Sequence, residues 1–141
     1  MKKNNIFLLV LIVSVAYLSS CHSDEKHGRA PKFANIELNP NSLKAGDSLT
    51  VNIAYADRGE YYVNAPFSIS LSRNDLSISV FSQKFNRENL PEFLKCQVPD
   101  SLPSGTYNVS LKCGSVSLTA DAENGTIYAA GNEVTAKLRV E

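Results

Sequence analysis

Residue types that could perform catalysis are sparse in this sequence. Catalysis needs a positioned nucleophile with a base, a carboxylate pair, or a set of metal ligands. Both histidines, His22 and His27, lie in one short polar stretch, so the rest of the chain has no histidine base and no Ser-His-Asp arrangement. Gly-x-Ser-x-Gly, a phosphate-binding glycine loop and Cys-x-x-Cys are also missing from the sequence. We therefore expect neither an enzyme nor a cofactor.

The acidic residues of the sequence are only weak evidence for a metal-binding site. Most of them stand at turns, where an aspartate usually hydrogen-bonds its own backbone. The stretch Asp121-Ala122-Glu123-Asn124-Gly125 places oxygen ligands at alternate positions before a glycine, as a calcium loop does. It lacks the distal glutamate of such a loop, so no metal site is predicted.

One side chain stands where covalent chemistry is expected, the thiol of Cys21. Residues 1–5 are short and basic, and residues 6–18 are almost entirely apolar. An apolar stretch of that length is shorter than the roughly 20 residues that span a bilayer, but it matches the apolar region of a secretory signal. The motif Leu18-Ser19-Ser20-Cys21 then puts two small residues directly before a nucleophilic thiol.

This arrangement resembles the bacterial lipoprotein signal, with its lipobox of an apolar residue, two small residues and the cysteine to be acylated. The resemblance implies a signal peptide at 1–20, a lipidated tether at 21–32 and a chain anchored in the bilayer through acyl chains such as palmitate on Cys21. The residue after the cysteine is His22, not the aspartate of an inner-membrane retention signal, which favours the outer membrane. The acidic residues that follow resemble the tether of Bacteroidetes surface lipoproteins. An ordinary secretory signal, or a single anchor helix, with an incidental cysteine is the alternative.

The amino-acid composition argues against two classes of protein, nucleic-acid binders and disordered proteins. Lys and Arg number 14 and Asp and Glu also number 14, so a nucleic-acid binder, which needs a basic excess, is not expected. Loss of residues 1–20 would leave 12 basic residues against 14 acidic ones. The chain is 43% hydrophobic and 20% charged, which is too apolar for a disordered protein. One domain is expected at 33–141.

Hydrophobic residues beyond Phe33 alternate with a period of two. The stretches 48–55, 67–72, 76–81 and 105–112 place apolar residues on one face and polar residues, many of them serine, on the other. Arg73-Asn74-Asp75 suits a tight hairpin turn, and residues 87–90 are the only helical candidate. About eight strands at such spacing predict an all-β fold, an antiparallel β-sandwich of seven to nine strands.

Two motifs resemble bacterial immunoglobulin-like domains. The first is the opening Ile36-Glu37-Leu38-Asn39-Pro40 with Lys44-Ala45-Gly46-Asp47, and the second is the corner Val98-Pro99 with Gly105-Thr106-Tyr107. Within that group the sequence is similar to the IPT/TIG type found in surface glycan-binding lipoproteins of Bacteroidetes. The resemblance implies an immunoglobulin-like sandwich over about 33–140. The glycine-rich signature expected after the second strand is missing, and Ala56-Asp57-Arg58-Gly59 stands there instead.

Two further thiols, Cys96 and Cys113, remain. An oxidising envelope permits a disulfide between them. Counting residues of a simple hairpin about 99–105 places Cys96 opposite Ser110, about 10 Å from Cys113 along the strand. A disulfide needs Cα atoms within about 7 Å, so two buried thiols are predicted, with a bridge as the alternative.

The best candidate for ligand contact is the predicted loop at 56–65. It combines Arg58 and Glu60 with the adjacent rings of Tyr61 and Tyr62, and tyrosine both stacks on sugars and anchors protein interfaces. The loop predicts a non-catalytic binding module for a glycan or an envelope protein. The alternative is an accessory subunit docked on a larger outer-membrane assembly. If the two tyrosines instead extend an edge strand, one ring points inward and one outward.

Overall fold

The computed structural model describes residues 28–118 and 127–141. That part of the chain is all-β, apart from a single turn of 3₁₀ helix at Arg87–Asn89. Its eleven strands are β1 (Lys32–Asn39), β2 (Ser42–Leu43), β3 (Ser48–Asp57), β4 (Tyr62–Val63), β5 (Ala65–Arg73), β6 (Leu76–Phe85), β7 (Phe93–Gln97), β8 (Gly105–Cys113), β9 (Ser115–Leu118), β10 (Ile127–Ala130) and β11 (Glu133–Val140).

Two main sheets face each other. One has the order β1-β3-β7 and the other β2-β11-β8-β5-β6, while a third small sheet has the order β10-β9-β4. The predicted all-β sandwich is confirmed. It has more strands than the seven to nine expected, and the larger sheet is mixed because the two-residue strand β2 pairs parallel with β11. Short strands such as β2 and β4 are too brief to leave a period-two pattern in the sequence.

The alternating residues of the strands form the core between the two main sheets. In β5 the inward side chains of Phe67, Ile69 and Leu71 are fully buried, and the serines between them face outward. In β8, Tyr107, Val109 and Leu111 are buried in the same way. Burial of each such side chain is worth about 1.5–3 kcal/mol, so the alternation itself specifies which face of each strand is internal.

The corner that leads into β8 is held by a tyrosine. Tyr107 is fully buried, and its hydroxyl donates a 2.6 Å hydrogen bond to the carbonyl oxygen of Pro103. Such a tyrosine at the start of this strand, bonded to backbone a few residues upstream, is a feature of immunoglobulin-like sandwiches. In the larger sheet, β2 and β6 are the two edge strands, and β8 lies at the centre between β11 and β5.

The two ends of the sandwich differ. We call one the loop end: it holds residues 28–31, the β3–β5 connection at 58–64 and the paired strands β9 and β10. The other is the corner end, with the β7–β8 connection and the β5–β6 turn, where Asn74 adopts a positive φ of 51° as a tight hairpin requires.

The predicted hairpin between the cysteine-bearing strands is wrong. β7 pairs with β3 and β8 pairs with β5 and β11, so the two strands belong to opposite sheets. Cys96 lies beside the corner end, whereas Cys113 is the last residue of β8, at the loop end. Both are buried free thiols, as predicted, but the reason is this separation and not the hairpin register.

Two boundaries also differ from the sequence-based ones. The predicted loop at 56–65 is shorter, because β3 continues to Asp57 and β4 occupies Tyr62–Val63. Packing begins before residue 33, since Ala30 is buried and Arg29 forms an isolated antiparallel bridge with Glu60. Neither segment alternates in the sequence, and pairing with distant residues orders both.

Candidate functional site

The loop end brings together the residues that the sequence singled out for binding. β4 lies between the large strands β3 and β5 in the chain, but it pairs with β9. β9 in turn pairs with β10, so the small sheet forms the surface of this end. In immunoglobulin-like sandwiches the connections at one end carry the variable chemistry.

Arg58 is held by neighbours within the chain. Its Nη2 donates a 2.5 Å hydrogen bond to Oε1 of Glu92, and its guanidinium lies 4.8 Å from the centre of the Tyr55 ring. The ring is fixed in turn, because the Tyr55 hydroxyl donates to the carbonyl oxygen of Pro91 at 2.6 Å. The guanidinium therefore ties the loop to the segment that precedes β7.

Glu60 is engaged as well. Arg29 donates from Nη1 to Oε2 of Glu60 at 3.1 Å and from Nε to Oδ2 of Asp57 at 2.9 Å. The hydrogen bond from Arg29 lowers the pKa of the Asp57 carboxyl. These pairs are partly exposed and therefore add little to stability, so their role is to position the chain at 28–31 against the loop.

Tyr62 is a structural residue. Its ring is buried, and its hydroxyl donates a 3.2 Å hydrogen bond to the carbonyl oxygen of Arg58. Burial raises the pKa of the Tyr62 hydroxyl to about 12. Gly59, next to Arg58, has a φ of 76°, and a Cβ there would lie 2.5 Å from the carbonyl oxygen of Arg29. The loop is therefore tightly packed between the chain at 28–31 and the Tyr62 ring.

Tyr61 has the opposite exposure from its neighbour. Its side chain is 42% exposed, and its φ of 54° lies in the left-handed region that few non-glycine residues occupy. The expectation of one ring inward and one outward matches these exposures. The reason differs, since the backbone at Tyr61 is left-handed and not the extended conformation from which that expectation came.

A row of exposed side chains crosses the small sheet. Val63 pairs with Ser117, and Ser117 pairs with Tyr128, so the three side chains share one face. Val63 is 52% exposed and Tyr128 is 68% exposed, about 10 Å apart across two strand spacings. We call Val63, Ser117 and Tyr128 the end-sheet face. The small serine between the two larger groups leaves room for a ligand group.

Sequence reasoning missed Val63 and Tyr128. The pairing of β10 with β9 and of β9 with β4 joins residues far apart in the chain, and no local pattern predicts it. The aromatic side chain of Tyr128, in the stretch Ile127-Tyr128-Ala129-Ala130, was the one available signal.

Within the described ranges, the side chains show no arrangement for metal or thiol chemistry. No group of three or more His, Cys, Asp or Glu residues there could hold a metal ion. Burial raises the pKa of both Cys96 and Cys113 to about 11, so neither is poised as a nucleophilic thiolate. Every buried side-chain nitrogen or oxygen of the described residues has a hydrogen-bond partner.

Some predicted features lie outside the described residues. They are the signal peptide, Cys21, both histidines and the acidic stretch 121–125. Among the residues that the structure does describe, none forms a helix of the length and hydrophobicity needed to cross a bilayer. A comparison with models of protein families finds no match, and a comparison with curated protein sequences finds no relative.

Proposed function

We propose that this protein is an outer-membrane lipoprotein, acylated on Cys21, that acts as a non-catalytic binding module through the loop end of its sandwich. The observation that carries the binding role is the end-sheet face, where Tyr128 and Val63 are largely exposed on a paired strand surface. An aromatic ring anchors a ligand at little entropy cost because it has few rotatable bonds. The anchoring part of the proposal depends on the lipobox at 18–21.

Membership of the bacterial immunoglobulin-like domains of IPT/TIG type is part of the proposal. The strand order of the main sheets and the hydrogen bond from Tyr107 to Pro103 are consistent with it. The glycine-rich signature is still absent after β3. Function does not follow from the fold, so the binding role depends on the end-sheet face.

A protein ligand in the envelope is favoured over a free glycan. Gly28 is seven residue steps along the chain from Cys21, which limits the distance between them to about 25 Å even when fully extended. Gly28 lies at the loop end, against Leu118 of β9. Anchoring at Cys21 would therefore keep the end-sheet face close to the bilayer, where membrane-embedded proteins are within reach. This proximity favours the second candidate, an accessory subunit that docks on a larger outer-membrane assembly.

The experiment uses four forms of the full chain. Wild type, Tyr128→Ser and Phe93→Ser are crosslinked in intact cells, purified, and analysed for captured envelope proteins; the Cys21→Ser form is screened on a glycan array. Phe93 is the matched control, because it is 50% exposed but lies on β7, away from the loop end. We expect Tyr128→Ser to lower capture about tenfold or more, the usual effect of losing an anchor residue, without a change in melting temperature.

Two results would contradict this proposal. Equal loss of capture in Phe93→Ser and Tyr128→Ser would mean that the end-sheet face has no special role. Unchanged fatty-acid incorporation in Cys21→Ser would show that Cys21 is not the acylated residue, whatever the capture result.

A further inference from the structure

The four central rows on the outer face of the large sheet consist entirely of polar side chains. Because β11, β8, β5 and β6 are paired side by side, outward residues fall into rows that run across the strands. The complete rows are Glu133-Lys112-Ser68-Ser82, Thr135-Ser110-Ser70-Ser79 and Lys137-Asn108-Ser72-Ser77, and the partial row is Arg139-Thr106. Small hydroxyl side chains dominate this face, so a ligand could approach the sheet closely.

Four cations cross that face on a diagonal. Lys84 lies on β6 at the loop end, Lys112 on β8, and Lys137 and Arg139 on β11 towards the corner end. With strands about 4.8 Å apart and rows about 7 Å apart, the diagonal is about 30 Å long. We call these four residues the cationic stripe. The outward hydroxyls of Ser68 and Thr135 lie along it.

The stripe stands out because the chain as a whole has no net positive charge. Glu133 is the one acid within the rows, and Glu141 lies beyond the last row, where its Oε1 accepts a hydrogen bond from Ser42. The local excess of cations is therefore a matter of position, since 14 basic and 14 acidic residues cancel over the sequence.

The cations of the stripe are not used to hold the fold. Within the described residues the ion pairs are made by Arg29 and Arg58, both at the loop end. Arg73 and Arg87 donate to the carbonyl oxygens of Ser104 and Gly59. Among the described residues, the one side-chain hydrogen bond from the stripe is that of Lys137 Nζ to the amide oxygen of Asn108, at 2.5 Å. Its charges remain available to an external anion.

We propose that the cationic stripe binds a linear acidic polysaccharide laid along the outer face of the large sheet. A linear chain of carboxylates complements a line of cations, and the serine and threonine hydroxyls between the cations can hydrogen-bond sugar hydroxyls. Lys84, Lys112 and Lys137 are spaced further apart than the screening length of about 8 Å at physiological salt, whereas Lys137 and Arg139 are one row apart, about 7 Å. Because all four side chains are exposed, salt screens their attraction for an anion, and binding weakens as salt rises.

An anionic lipid surface is the less favoured partner. The strands of the large sheet run from the loop end to the corner end, and a tether leaving Gly28 starts at the loop end. A bilayer facing the loop end would meet Lys84 first, and Arg139 would lie about 30 Å further away. The stripe does not depend on the end-sheet face, so this inference stands or falls separately from the proposed function.

The test is affinity electrophoresis of the full chain carrying Cys21→Ser, with polygalacturonate or neutral dextran in the gel. The double variant Lys112→Gln/Lys137→Gln is compared with Lys44→Gln/Lys95→Gln, which removes the same charge from exposed residues outside the rows. We expect polygalacturonate to retard the parent and the control, and the stripe variant to bind about tenfold more weakly at low salt. Dextran should retard none of them.

The outcomes separate the stripe from the alternatives. Equal retardation of both double variants, or none of the parent, would overturn the proposal. Sedimentation with vesicles of phosphatidylglycerol and phosphatidylcholine is measured in parallel. If the stripe variant loses vesicle binding while polygalacturonate retards no form of the protein, the partner is a lipid surface and the polysaccharide is wrong.

Discussion

Tyr107 shows how one residue serves both the core and the backbone. Its ring is fully buried between the sheets, and its hydroxyl satisfies the carbonyl oxygen of Pro103 at the corner. The guanidinium of Arg73 lies 5.8 Å from the centre of the same ring and covers it at the corner end. The ring and the hydroxyl should make separable contributions to stability.

Tyr107→Phe is expected to lower the free energy of unfolding by about 1–2 kcal/mol. The substitution keeps the ring but leaves a partly buried carbonyl without its donor. Urea denaturation of the variant measures the change, with Tyr128→Phe as the control because that hydroxyl belongs to a side chain that is 68% exposed. Equal midpoints for Tyr107→Phe and the parent would show that water replaces the bond at no cost.

The two buried thiols make stability depend on pH in the alkaline range. Burial raises the pKa of Cys96 and of Cys113 from 9.0 to about 11. Between these values the unfolded chain loses its thiol protons while the folded chain keeps them. The contribution of the two protonated thiols to the free energy of unfolding is therefore fully present below pH 9 and is lost as the pH rises towards 11.

We expect the urea midpoint of the parent to fall between pH 9 and pH 11, and to fall less in Cys96→Ala/Cys113→Ala. Alkylation followed by mass spectrometry, without reduction, should label both thiols only after unfolding. A midpoint with the same pH dependence in both proteins would contradict the thiol assignment. A peptide pair joined through Cys96 and Cys113 would contradict the fold itself, since the two lie at opposite ends of the sandwich.

At the scale of elements, the β3–β5 connection is a packed segment whose charges serve the fold. Arg58 and Glu60 were predicted to contact a ligand because the loop combines charged residues with aromatic ones. The structure pairs them with Glu92 and Arg29, residues from two other segments. What remains for a ligand at this end comes from β4 and β10.

The adjacent tyrosines of this segment should respond differently to substitution. Tyr62→Ala removes a buried ring and its bond to the Arg58 carbonyl, so a loss of about 3–5 kcal/mol in unfolding free energy is expected. Tyr61→Asn should cost about 1 kcal/mol or less, because asparagine tolerates the left-handed backbone found there. Thermal denaturation of both variants is the measurement. Similar losses in the two would show that Tyr61 is as structural as its neighbour.

At the scale of the whole molecule, the position of Gly28 sets the direction in which an anchored domain would face. The loop end carries both the start of the described chain and the end-sheet face. The β5–β6 turn, at the corner end, is separated from it by the length of a nine-residue strand, about 30 Å.

If Cys21 is acylated as proposed, fluorescence transfer to labelled lipid should detect this orientation in membranes that contain the protein. Glu88 follows β6 at the loop end, and Asp75 lies in the β5–β6 turn, and both are exposed. A dye on Glu88→Cys should transfer energy to the bilayer more efficiently than a dye on Asp75→Cys, while the buried native thiols stay unlabelled. Equal efficiency at both sites would mean that the domain lies flat or turns freely on its tether.

Several features of the fold can be predicted from the sequence alone. Alternation in β5, β6 and β8 determines which face of each strand is buried, because a side chain on the wrong face would leave apolar surface in water. Turn chemistry at Asn74 and the corner before Tyr107 are also local, since they depend on the backbone preferences of a few neighbouring residues. The all-β class and the sandwich could therefore be predicted.

Other features were decided only by tertiary structure. The assignment of β7 and β8 to opposite sheets, the capture of Arg58 and Glu60 in ion pairs, and the joining of Val63 to Tyr128 all depend on pairing between distant residues. The cationic stripe is of the same kind, because its members come from three strands that only the sheet order brings together. A strand shows in its own sequence which of its faces is buried, but not which strand will lie beside it. That choice depends on the packing free energy of the whole sandwich.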